Sequence, residues 1–189
     1  MLSDILKKLI RESFLPAAFL LAAKIISVTL LTRLYFPDIS VSGVGITFKS
    51  AGDFSEVNLL SNFAVLAVVF SGLAITMLRA HFLHNSHVTP YLSQTLSEHR
   101  VENWLVTSWE IFPQSAVWLI LSWLTFFFIF LQTRLEITAP TLTLFSVLLS
   151  FFTAVFGTWL FIFDLERELN IGQLKKEKPE QVYIETETL

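Results

Sequence analysis

The chain has 189 residues, of which 53% are hydrophobic and 19 are phenylalanine, and its mean hydropathy is +0.63. A soluble single domain of this size rarely carries that balance, and a net charge of −3 gives no electrostatic footing for a nucleic-acid partner. The lack of cysteine excludes disulfides, thiolate metal sites and cysteine nucleophiles.

The chain opens with Leu2, Ile5, Leu6 and Ile10 at helical spacing and Lys7, Lys8 and Arg11 opposite or flanking them. That pattern predicts a short amphipathic segment on the membrane surface leading into a span. The first span is expected over residues 13–35, where Lys24 is the only charge between Ser13 and Thr32. The cations ahead of it resemble the start of a cleaved leader, with Ala22-Ala23 as its end. Leu21 is a poor residue at the small position such a site requires, and the apolar run resumes at Ile25, so the segment reads as a membrane helix.

Three further charge-free runs follow: 22 residues over 57–78, 23 over 111–133 and 27 over 137–163. A hydrocarbon core about 30 Å thick needs roughly 20 apolar residues as helix, and every run reaches that length. The expected spans are 13–35, 57–79, 111–133 and 138–163. The fold class is therefore all-α: a polytopic integral membrane protein with four transmembrane helices in an antiparallel bundle occupying residues 1–170, partnered by the lipid bilayer.

With the N-terminus in the cytoplasm, nine cations (Lys7, Lys8, Arg11, Arg79, Arg100, Arg167, Lys175, Lys176 and Lys178) lie inside, and only Arg33, Lys49 and Arg134 lie outside. The bias places both termini in the cytoplasm, of a plasma membrane or a bacterial inner membrane. The external loop is then 36–56. In it Ile39, Val41, Ile46 and Phe48 alternate about Gly43 and Gly45, a pattern that fits a small β-hairpin as well as an unstructured loop. In the cytoplasmic loop, 80–110, Thr89-Pro90 followed by Leu92, Leu96, Val101, Trp104 and Leu105 predicts one or two short interfacial helices. Glu98, Glu102 and Glu110 read as their solvated face. Asp164, Glu166, Arg167 and Glu168 read as a charged collar stopping the last span at the headgroups. The tail, 171–189, is charged, contains Pro179 and is expected to be disordered.

Small and hydroxyl-bearing residues nominate an inward face on each span, because helices associate in lipid through close packing and interhelical hydrogen bonds. On the first these are Ser13, Ala17, Lys24 and Ser27; on the second Ala64, Ala67, Ser71 and Ala74. The third carries Ser115, Ser122, Thr125 and Gln132, and the fourth Thr143, Ser146, Ser150, Thr153 and Gly157. Lys24 is then expected inside the bundle at the depth of Ser71, Ser122 and Ser150, with Ser27, Thr125 and Thr153 beside it. No acidic residue lies in the charge-free portion of any span, which leaves hydroxyls, backbone carbonyls, water or another chain's carboxylate as its partners.

His81, His84 and His87 form the other cluster. Three-point metal ligation requires the helix to end near Asn85, and no diagnostic ligand spacing is present. No cofactor and no catalytic residue are expected, since phosphate loops, nucleophile elbows and a Ser/His/Asp set within a span are all missing. Three functional readings follow, in order: a non-enzymatic subunit or assembly component packing against other membrane chains or its own copies; a small transporter or channel using Lys24 and the midplane hydroxyls; a metal-dependent membrane enzyme using the histidines.

Overall fold

The computed structural model describes residues 2–35, 40–42, 45–48, 50–84, 90–99, 105–140 and 142–177, with the backbone alone for residues 2, 3, 5, 40–42, 45–47, 90–93 and 171–177. Its elements are α1 (Leu2–Tyr35), β1 (Ser40–Ser42), β2 (Gly45–Thr47), α2 (Ala51–Phe82), α3 (Pro90–Glu98), α4 (Ser108–Arg134) and α5 (Thr143–Glu177). Four of the helices are long and apolar enough to cross a membrane, and the chain is an all-α, multi-pass integral membrane protein.

Helix ends differ from the expected ones for local reasons. The amphipathic lead is not a separate segment: α1 runs unbroken from Leu2, through Pro16. Ser50 caps α2, accepting a hydrogen bond from the Asp53 N–H at 3.0 Å, so the helix begins ahead of Glu56 and takes up part of the expected loop. At the start of α4 the Glu110 carboxylate accepts from the Thr107 N–H at 3.4 Å, giving this residue a capping role besides its solvated one. The last span starts at Thr143 and not at 138 because Pro140 disfavours the helical conformation at Ala139. At the other end α5 continues to Glu177, into the stretch expected to be disordered. Residues 178–189, like His87 and Trp104, lie outside the described residues.

β1 and β2 pair antiparallel with Ser40 opposite Thr47 and Ser42 opposite Gly45, so this part of the first loop is a hairpin. The α4–α5 turn docks on the start of α2 through the Ala139 N–H, which donates to the Ser55 carbonyl at 3.3 Å. At the opposite end the return segment before α4 is held by the Val106 N–H on the Leu83 carbonyl at 3.0 Å, over a small core of Ala80, Val106 and Ile111.

Helices α2 and α4 pack together, and each packs on both α1 and α5; α1 and α5 do not touch among the described residues. The α2 face that makes these contacts is Val57, Ser61, Leu66, Val69, Leu73, Met77 and Ala80, spaced by threes and fours with one wider step. Two close approaches set the helix separations. A Cβ on Gly72 would lie 2.3 Å from the Trp118 ring, and one on Gly157 would lie 2.4 Å from Leu73 Cδ2.

Candidate functional site

Asn58, Ser61 and Asn62 are spaced i, i+3, i+4 and therefore share one face of α2. All three are buried. They meet Lys24 of α1, whose ammonium donates to Asn58 Oδ1 at 2.8 Å, Ser61 Oγ at 2.6 Å and Asn62 Oδ1 at 2.7 Å, with the Asn58 carbonyl at 3.3 Å. An ammonium has three protons, so three short contacts use its whole donor capacity. The two amides then pass polarity onward: Asn58 Nδ2 and Asn62 Nδ2 donate to Gln132 Oε1 of α4 at 3.2 and 2.7 Å. Ser61 Oγ donates to the Asn58 carbonyl at 2.9 Å. Every bond in the chain from Lys24 to Gln132 runs from a donor to an acceptor, and the ammonium sets both amide orientations.

The cradle is built from neutral oxygens. Among the described residues Lys24 forms no ion pair. Such bonds to a charged donor are shorter and stronger than neutral ones, and here they also join three helices. An apolar cavity of about 410 Å³ opens beside Lys24 and Asn62, walled by Leu20, Val65, Leu124 and Phe128 among others.

The depth differs from the expected one. Asn58 lies just past Glu56, and Gln132 just before Arg134, so the cradle is near the hairpin end of the bundle. Ser71 lies ten residues after Ser61 and Ser122 ten residues before Gln132, so each is about 15 Å away along its helix at 1.5 Å per residue. Lys24 does not meet them. Ser122, Thr125, Ser150 and Thr153 are buried, and Ser27 is half-buried with its hydroxyl on the Lys24 carbonyl at 3.0 Å. Among the described residues Ser122 Oγ, like Ser115 Oγ, has no hydrogen-bond partner. Ser71 and Ala67 are exposed, so the small-residue stripe of α2 faces outward. Asn58, Ser61 and Asn62 occupy the inward side instead.

The histidines are placed at the other end, and separately. His81 Nδ1 is 3.3 Å from Asp164 Oδ1, with Arg167 Nη1 at 3.4 Å from the same nitrogen. His84 Nδ1 is 3.5 Å from Glu168 Oε2, and its Nε2 is 3.0 Å from Ser108 Oγ, which donates to Glu168 Oε1 at 3.0 Å. Asp164 and Glu168, one turn apart on α5, thus fasten the end of α2. Asp164 is buried, which a headgroup collar does not require. Among the described residues no three His, Asp or Glu side chains are grouped to hold a metal ion, and His87 lies outside them.

Reasoning from charge alone missed Asn58, Ser61 and Asn62, and placed Gln132 on the inward face of its span without joining it to Lys24. Two amides at i, i+4 inside a run of 22 residues free of charge were the available signal, because unpartnered polar groups are costly in hydrocarbon. Compared with models of protein families, with curated proteins and with solved structures, the chain matches none.

Proposed function

We propose that this multi-pass membrane protein is a non-enzymatic subunit or assembly component that binds the helix of another membrane chain along the outer face of α2. The observation that carries the reading is the exposure of Ala67 and Ser71 at mid-span, between the half-buried Ala64 and Ala74. Small residues at alternating steps of three and four let helix backbones approach closely, and in lipid such contact replaces the hydrophobic effect as the source of association. Inside the chain the same device is used at Gly72 and Gly157; on α2 it is repeated at Ala67 and Ser71, which are exposed among the described residues. Lys24, being supplied with oxygens from its own chain, serves here as a tie between α1, α2 and α4.

Affinity purification from membranes in mild detergent tests this. Wild type is expected to bring down a second membrane chain in fixed ratio. Ala67→Leu with Ser71→Leu is expected to lose it while the chain keeps its abundance and its own helix contacts. Recovery of wild type as a lone monomer refutes the proposal.

The apolar cavity beside Lys24 favours one other reading, a small transporter or channel for anions or protons. Liposomes containing the purified chain would then show a flux that Lys24→Met abolishes, and a lack of flux across a range of ions removes that reading. The metal-enzyme reading finds no ligand set among the described residues, because His81 and His84 engage different carboxylates.

A further inference from the structure

At the end of the bundle that carries the N-terminus, a polar cavity of about 480 Å³ lies between α1, α2 and α4, with Lys8, Arg11, Arg79 and Trp109 in its wall. A second cavity of about 510 Å³ shares Arg11, Glu12, Arg79 and Gln114 with it and is otherwise lined by Leu15, Pro16, Phe19, Thr76 and Trp118. Four common residues make the two cavities one feature, charged at the helix ends and mostly apolar toward the membrane interior. From this shape and chemistry we propose a binding site for one anionic phospholipid, with its phosphate on Arg79, Lys8 and Arg11 and one acyl chain along Leu15, Phe19 and Trp118.

Charge complementarity selects this occupant. The Arg79 guanidinium, half-buried in the last turn of α2, has no hydrogen bond or ion pair among the described residues. Its planar fork of donors matches phosphate oxygens. The Lys8 ammonium donates to the Trp109 carbonyl and sits 4.8 Å above that indole ring, which leaves further donors for a ligand. The two carboxylates in the wall are already engaged: Glu12 accepts from Arg11 at 3.2 Å and from Gln114 at 3.3 Å, and Glu110 closes the start of α4. Three cations against two carboxylates, one of them already paired with Arg11, leave the wall positive by one, which favours an anion. Basic pockets between transmembrane helices at the headgroup level bind phospholipid heads in this way. Free phosphate would leave the lower cavity unused, whereas the exposed Leu15 and Phe19 give an acyl chain a wall to lie on.

Native mass spectrometry of the whole chain in detergent, titrated with phosphatidylglycerol and with phosphatidylcholine of the same acyl chains, tests the site. Wild type is expected to retain phosphatidylglycerol preferentially. Arg79→Gln is expected to cut that retention about fivefold, the ratio corresponding to the roughly 1 kcal/mol that one cation near the headgroups contributes. Lys8→Gln with Arg11→Gln gives the same readout should Arg79→Gln accumulate poorly. Arg134→Gln, at the opposite end, is expected to change nothing. Equal retention of the two lipids overturns the proposal, as does an equal loss in Arg134→Gln. Displacement of phosphatidylglycerol by equimolar glycerol phosphate also overturns it, since that would mark a site for free phosphate without use for the chains.

Discussion

Replacing Lys24 by Met should separate a polar tie from a tolerated stray charge. The substitution keeps an unbranched side chain one atom shorter and removes three donor contacts of 2.6 to 2.8 Å, to Asn58, Ser61 and Asn62. Interhelical hydrogen bonds in membranes contribute about 0.6 kcal/mol on average and about 1.7 at most. Three of them place the expected loss of stability at roughly 2–5 kcal/mol, the upper part applying because the donor is charged. Much of that loss comes from amide oxygens left buried without a donor, and such groups cost about 1–3 kcal/mol each. The triple variant Lys24→Met, Asn58→Leu, Asn62→Leu, which leaves one amide oxygen, Gln132 Oε1, without a donor in place of two, is therefore expected to be more stable than Lys24→Met alone. Reversible unfolding in mixed micelles with increasing denaturing detergent, followed by circular dichroism, gives both values. A loss under about 0.5 kcal/mol for the single variant, or a triple variant that is weaker still, would refute the reasoning.

Gly72→Ala is expected to disrupt the α2–α4 contact and lower stability, because its Cβ would meet the rigid Trp118 ring at 2.3 Å; Gly157→Ala meets the flexible end of Leu73 and should cost less. Unfolding midpoints of the two variants make the comparison, and equal midpoints would contradict it. Ser122→Ala is expected to be neutral or stabilising by about 1 kcal/mol, since the buried hydroxyl has no partner among the described residues to lose; a clear loss in the same assay would show that this hydroxyl is engaged. Asp164→Asn should loosen α5 from the end of α2 by weakening the contact at His81, seen as faster amide exchange over residues 76–84 with the hairpin end unchanged. Unaltered exchange there would place the fastening elsewhere.

The spans could be read from the chain because length and freedom from charge are properties of a single helix, and the bilayer fixes how long such a helix must be. The side that a helix turns to its neighbours is a property of pairs. On α5 the small residues Ser146, Ser150 and Gly157 are buried, whereas on α2 Ala67 and Ser71 face outward while Leu66, Val69 and Leu73 pack inside. Nothing in the spacing distinguishes the two stripes. The partners of Lys24 were hidden for a different reason: amides carry no charge, so a search for a counter-ion passes over Asn58 and Asn62, although four oxygens can meet the need of one ammonium. Depth is hidden with them, since the middle of the run holding Lys24 need not face the middle of the next. The histidines show the converse. Their proximity in sequence suggested one site, and the geometry assigns His81 to Asp164 and His84 to Glu168, each one helical turn apart.

Because the chain has no cysteine, any pair of introduced cysteines reports a single distance. The register of α1 on α2 is therefore open to direct measurement in native membranes, with a short bifunctional thiol reagent and two doubly substituted chains. Lys24→Cys with Asn62→Cys is expected to cross-link, and Lys24→Cys with Ser71→Cys is expected not to. Cross-linking at Ser71 with none at Asn62 would contradict the cradle and the packing of the bundle around it.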